Sequence, residues 1–144
     1  MKNVSDIFKR KGFYNVTIGS NEPVLEALKL MSDKNIGSVV VMDNEEYVGL
    51  ITERDYARKV ILLGKRSSDI SVGEIMSQYL PKISMSNSVD ECMEIMTNHN
   101  LRYLPVFEED KYVGVISIID VVKQKMMEQD GKIEDLQFYI HSAR

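Results

Sequence analysis

One numerical offset constrains this chain more than any other feature. Gly49-Leu50-Ile51-Thr52-Glu53-Arg54-Asp55 is echoed by Gly114-Val115-Ile116-Ser117-Ile118-Ile119-Asp120, and 114 − 49, 117 − 52 and 120 − 55 are all 65. The correspondence runs without a gap from about Val16 to Val60, and Tyr112-Val113-Gly114 repeats Tyr47-Val48-Gly49 letter for letter. A period of this length over two copies is an internal duplication. A unit of about 50 residues is marginal alone, so two copies packed face to face about a pseudo-twofold axis, sharing a core, are expected.

Each copy reads strand, helix, strand, strand, helix. In the first, Val16 to Ile18 is a short strand. Pro23 opens a helix in which Val24, Ala27, Leu28 and Met31 recur at helical spacing, and Asn35-Ile36-Gly37 ends it. The valine-rich run from Ser38 to Met42 and the run from Tyr47 to Ile51 are strands joined by the polar turn Asp43-Asn44-Glu45-Glu46. A helix is expected from Glu53 to about Leu63, stopped by Gly64. In the second copy Pro81 to Met85, the helix bearing Val89, Cys92, Met93 and Met96, the strand from Leu101 to Phe107 and the helix from Ser117 to about Gln129 follow the same order. The predicted class is α+β, with two βαββα repeats and short N-terminal and C-terminal helices.

The expected division is an N-terminal helical extension at 1–15, repeat 1 at 16–64, a linker with a short helical turn at 65–80, repeat 2 at 81–128 and a C-terminal helix at 129–144. Ser5 is a candidate cap for the first helix, and Lys9-Arg10-Lys11 reads as a solvated face. Ile133, Leu136 and Ile140 give the tail an amphipathic pattern suited to the module or a partner.

The repeated turn has two readings. A Thr or Ser followed three residues later by Asp caps a helix start, as at many helices with no ligand. The same turn also offers free backbone donors, a hydroxyl and a carboxylate at the end of a strand, which suits a sugar diol and an anion. Both readings stand on the residues alone.

Composition removes several other classes. Net charge is −4 over 144 residues, against a basic nucleic-acid surface. A single cysteine, Cys92, permits no internal disulfide and fits a reducing, cytoplasmic setting. No apolar run reaches the ~20 residues of a membrane span, and the N-terminus lacks the apolar core of a secretory signal. His99 and His141 have no second ligand at useful spacing, and no nucleophile–base arrangement occurs. The reading is therefore of a non-enzyme with no metal, no nucleic acid and no membrane.

The duplicated unit, closed in each copy by Gly-hydrophobic-hydrophobic-Ser/Thr-x-x-Asp, resembles a pair of CBS domains (a Bateman module) over about Val16 to Lys125. Gly49 through Val60 and Leu101-Arg102-Tyr103-Leu104-Pro105-Val106 resemble stand-alone two-CBS proteins. That resemblance implies a regulatory, energy-sensing module that binds AMP, ADP, ATP, NAD(H) or S-adenosylmethionine in the cleft between repeats, with no cofactor required. Asp55 and Asp120 would take the ribose hydroxyls, with Thr52 and Ser117 beside them. Gly37 and Ser38 in copy one, and Arg102, Tyr103, Leu104 and Pro105 in copy two, would line the base pocket. Thr17, Lys82 and Ile83 would supply contacts from the entering strands.

Arg54, Arg58, Lys59 and Arg102 are candidate phosphate partners, since guanidinium suits bidentate anion contact. An exposed helix face is the alternative for Arg58 and Lys59. Ile118 and Ile119 replace Glu53 and Arg54 in copy two, whose turn therefore lacks a local cation and must rely on Arg102 or on the other copy. Two non-equivalent sites are expected, together with a homodimer and a separate regulated protein partner. A ligand-independent structural adaptor or dimerisation module is the alternative.

Overall fold

A computed structural model describes residues 2–13 and 15–129, so the tail beyond Gln129 lies outside the described residues. Two compact units emerge. Among the described residues, one is 15–80; the other joins 2–13 to 81–129.

In the first unit a parallel strand pair, β1 (Thr17–Ile18) with β2 (Ser38–Asp43), is separated by helix α2 (Val24–Lys34). Strand β3 (Glu46–Thr52) pairs antiparallel with β2, giving sheet order β1-β2-β3. The hairpin turn holds two residues, Asn44 and Glu45, both at positive φ (52° and 66°), which is the twist a two-residue hairpin requires. Helix α3 (Glu53–Lys59) leaves the end of β3 directly.

The second unit repeats the plan: β4 (Ile83–Ser84), α5 (Val89–His99), β5 (Tyr103–Glu108), β6 (Lys111–Ser117) and α6 (Ile118–Met127), with Glu109 and Asp110 in the matching turn. Helices α2 and α5 end on Asn35 and Asn100, both left-handed, as a C-terminal stop favours. The α+β reading and the strand order hold.

The segments outside the repeats complete the two cores. Helix α1 (Val4–Lys11) belongs to the second unit, where Val4, Ile7 and Phe8 are 0%, 0% and 3% exposed within the core of repeat 2. The one-turn helix α4 (Val72–Ile75) places Val72 and Ile75 in the core of repeat 1. Three backbone hydrogen bonds fasten each segment in the same way. Val4 N, Ser5 N and Val89 N donate to the carbonyls of Asn87, Met85 and Lys2 at 3.0, 3.0 and 3.1 Å. Val72 N, Gly73 N and Val24 N donate to Glu22, Ser20 and Ile70, each at 2.8 Å.

Two local expectations are corrected. Asn3, not Ser5, caps α1: its Oδ1 accepts from the Asp6 amide at 3.2 Å, while Ser5 already lies within the first helical turn. The helix after the first motif stops at Lys59 rather than Leu63, because Val60 turns fully into the core. A short 3-10 turn, Ile61–Leu63, then follows and ends on Gly64 at φ +71°.

The repeated glycine has a steric reason. A Cβ on Gly114 would stand 2.7 Å from Phe8 Cζ, and one on Gly49 would stand 2.9 Å from Met76 Sδ and 3.0 Å from the Ser77 carbonyl oxygen. Each glycine is the seat for the segment that precedes the other copy in sequence. Gly114→Ala should lower the urea midpoint by the equivalent of about 1–3 kcal/mol, as overpacking does, and Phe8→Leu in the same chain should recover part of that loss. A neutral Gly114→Ala would show that Phe8 does not press on β6.

Candidate functional site

The two Ser/Thr-x-x-Asp turns form as the strands end. Gly37 O accepts from Glu53 N at 3.1 Å and Arg102 O accepts from Ile118 N at 2.8 Å, so each helix start is stitched to the beginning of the neighbouring strand. Ser38 pairs with Thr52 and Tyr103 with Ser117 in register. Gly37, Ser38, Thr52 and Asp55 thus share one corner of their unit, and Arg102, Tyr103, Ser117 and Asp120 share the matching corner of theirs.

Both turns are full capping boxes. Thr52 Oγ1 accepts from Asp55 N at 3.1 Å while Asp55 Oδ2 accepts from Thr52 N at 3.0 Å. Ser117 Oγ accepts from Asp120 N at 3.1 Å while Asp120 Oδ2 accepts from Ser117 N at 2.8 Å. Beyond that shared frame the two differ.

Asp55 is closed. Oδ2 also accepts from the Thr52 hydroxyl at 3.0 Å, and the Ser77 hydroxyl reaches Oδ1 and Oδ2 at 3.0 and 3.3 Å. Lys59 Nζ completes the set, 2.9 Å from Oδ1 and 2.8 Å from the Ile75 carbonyl oxygen. The Asp55 side chain is 7% exposed.

Asp120 is held on one side. Lys11 Nζ, from the end of α1, lies 2.8 Å from Oδ2 and 2.9 Å from the Val115 carbonyl oxygen. Among the described residues nothing donates to Oδ1, and the Ser117 hydroxyl proton has no acceptor, in contrast to the hydroxyl of Thr52. Arg10 stands beside Lys11, with Nη2 3.3 Å from the Asp120 carbonyl oxygen and Nε 3.4 Å from Gln124 Oε1.

Arg102, the cation expected for repeat 2, is exposed; a second cation comes from α1, where Lys11 meets the carboxylate. Lys9-Arg10-Lys11 is accordingly not one solvated face: Lys9 and Arg10 are exposed, but Lys11 turns inward, at 15% exposure against 76% for Lys9. Lys59 likewise pairs with Asp55, whereas Arg58 is exposed on α3.

The remaining expected residues sit as follows. Thr17, exposed on β1, lies opposite Val40, two positions along β2 from Ser38. Lys82 carries its ammonium over the Phe107 ring, 4.8 Å from the centroid. Ile83 and Leu104 point into the core of repeat 2, at 3% and 0% exposure, so their side chains serve packing; Pro105 points to the opposite face of β5. Arg54 is half-buried on the first turn of α3, and Ile119, at the equivalent place, is 49% exposed. Ser77 and Lys11 escaped the sequence reading. The missing cation in the second turn was the signal that a lysine must arrive from elsewhere.

The family model for the CBS domain matches residues 4–61 and 72–126. The chain belongs to the CBS-domain family. It is 33% identical over 151 residues to the CBS domain-containing protein CBSX3, mitochondrial, of Arabidopsis thaliana, a match covering 97% of this chain and 72% of that one. The crystal structure of the CBS-domain containing protein ATU1752 from Agrobacterium tumefaciens superposes with a TM-score of 0.81 at 36% identity, covering 86% of this chain and 99% of that one. The CBS domain pair of protein MJ0100, in complex with 5′-methylthioadenosine and S-adenosyl-L-methionine, gives a TM-score of 0.73 at 25% identity over 85% of this chain and 98% of that one.

CBS pairs are in general regulatory ligand-binding modules and not catalysts, and this CBS chain offers its one thiol poorly for chemistry. Cys92 is fully buried, and burial, with Glu91 beside it, pushes the thiol up to about 11, so it stays protonated at neutral pH. Among the described residues no helix is long and apolar enough to cross a membrane.

The contrast between the two carboxylates is measurable. Asp55→Ala removes a buried acceptor of four donor groups and should cost about 3 kcal/mol, whereas Asp120→Ala should cost about 1–2 kcal/mol. Urea unfolding of both variants checks the order; equal losses would mean that Ser77 and Lys59 contribute nothing.

Proposed function

We propose that the protein is a regulatory module that takes an adenosine-containing ligand (AMP, ADP, ATP, NAD(H) or S-adenosylmethionine) at the Ser117–Asp120 turn. Its occupancy is passed to a protein partner or to its own homodimer. The observation that carries this reading is the uncommitted pair at that turn, a Ser117 hydroxyl proton and Asp120 Oδ1 beside one another at a helix start. Such a pair can donate to and accept from a ribose cis-diol, and the helix N-terminus favours an anionic group nearby. Family membership and the adenosine-type ligands in the structure of protein MJ0100 support the ligand class.

A ligand-independent adaptor is the second reading, and Asp55 favours it for repeat 1, because every interaction of that carboxylate is internal. Calorimetry and thermal shift on the full chain separate the two. The panel is AMP, ADP, ATP, NAD, NADH and S-adenosylmethionine, with dAMP as control. A bound ligand at a hundredfold excess over Kd adds about 2.7 kcal/mol of apparent stability. A ribonucleotide should raise the melting temperature, dAMP should do so far less, and Asp120→Asn should abolish the shift while Asp55→Asn keeps it. No shift with any ligand establishes the adaptor reading.

A further inference from the structure

We propose that Lys11 is the residue that makes the repeat-2 turn accept a phosphorylated adenosine ligand in preference to an uncharged one, an inference that rests on the ligand reading above. A carboxylate that accepts a ribose hydroxyl is also a negative charge next to whatever phosphate the ribose carries. At the ~5–8 Å separating a ribose hydroxyl from a 5′-phosphate, that repulsion is appreciable in a partly buried site. Compensation must come from a nearby cation.

The turn itself holds none, since Ile118 and Ile119 occupy the places of Glu53 and Arg54. Helix α6 holds none at the relevant place either, because Gln124 stands where α3 carries Lys59 (59 + 65 = 124). Lys11 fills that electrostatic role from a different element. Its ammonium is 2.8 Å from Asp120 Oδ2, with a side chain only 15% exposed, and it is aimed by the Val115 carbonyl oxygen and by the Phe8 ring 5.4 Å away. By holding Oδ2 it leaves Oδ1 as the oxygen offered to a ligand. Arg10, on the same helix end, adds a second positive charge at the first turn of α6.

Lys11 is thus a positioning and charge-setting residue rather than a direct ligand. Its removal should leave α1 in place, because Val4, Ile7 and Phe8 anchor that helix in the core.

The experiment is isothermal calorimetry of the full chain with AMP and with adenosine, on wild type, Lys11→Met, Lys11→Arg and Lys59→Met. Lys11→Met should reduce the ratio of AMP to adenosine affinity about tenfold, the size expected for one partly screened charge pair. Adenosine affinity itself should change by less than about threefold, Lys11→Arg should restore the ratio, and Lys59→Met should leave it unaltered. Should Lys11→Met fold poorly, Lys11→Gln serves in its place, and the salt dependence of wild type adds a second readout. Raising KCl from about 20 to about 300 mM should weaken AMP several-fold and adenosine hardly at all. An unchanged ratio in Lys11→Met, or equal salt dependence of the two ligands, overturns the role of Lys11 while adenosine binding stands. Failure of wild type to bind either compound overturns the ligand reading and this inference together.

Discussion

The hydrogen bond from the Thr52 amide to Asp55, 3.0 Å, and its counterpart from Ser117 to Asp120, 2.8 Å, hold the two points where strand becomes helix. An exposed helix start leaves its first amides without partners, and the carboxylate three residues on closes one while the hydroxyl closes another. That geometry fixes the exit angle of α3 and α6. It lets Glu53 and Ile118 donate to Gly37 and Arg102, the residues just before β2 and β5, next to the first paired positions of both hairpins. The same device recurs at Asn3/Asp6, Ser71/Glu74 and Ser88/Glu91, where the backbone hydrogen bond to each carboxyl holds it below the ordinary carboxylate range.

A carboxylate placed there must be compensated, and the two copies do so differently. Repeat 1 uses Lys59 from its own helix and Ser77 from the chain after α4, and the result is a closed, buried group. Repeat 2 has Gln124 at the place of Lys59 and takes Lys11 from α1 instead, leaving one oxygen and one hydroxyl uncommitted among the described residues. One duplicated motif has thereby become a structural cap in one copy and an available polar pair in the other.

The sequence made the repeated strands, hairpins and helices legible because all of them obey the offset of 65 and a simple apolar pattern. It hid the packing of α1 and α4. Val4, Asp6, Ile7 and Phe8 do have counterparts in Val72, Glu74, Ile75 and Met76, but 72 − 4 is 68, so a search at constant spacing passes them by. Their destinations lie far along the chain: Phe8 on Gly114, and Met76 on Gly49. The letter-for-letter Tyr-Val-Gly repeat recorded that contact without naming the residue that fills it. The same distance in sequence concealed Lys11, whose partner is over a hundred positions away, and made it look like part of the solvated face that Lys9 and Arg10 do form. For Leu104 and Ile83, carrying over family positions did not reveal that their side chains turn into the core.

Side-chain carboxyl 13C NMR reads the non-equivalence of the two aspartates most directly. With AMP titrated into labelled protein, the Asp120 carboxyl resonance should move in a saturable way while that of Asp55 stays fixed. Movement of Asp55 with Asp120 unmoved would contradict the account, because it would make the closed carboxylate the ligand's partner.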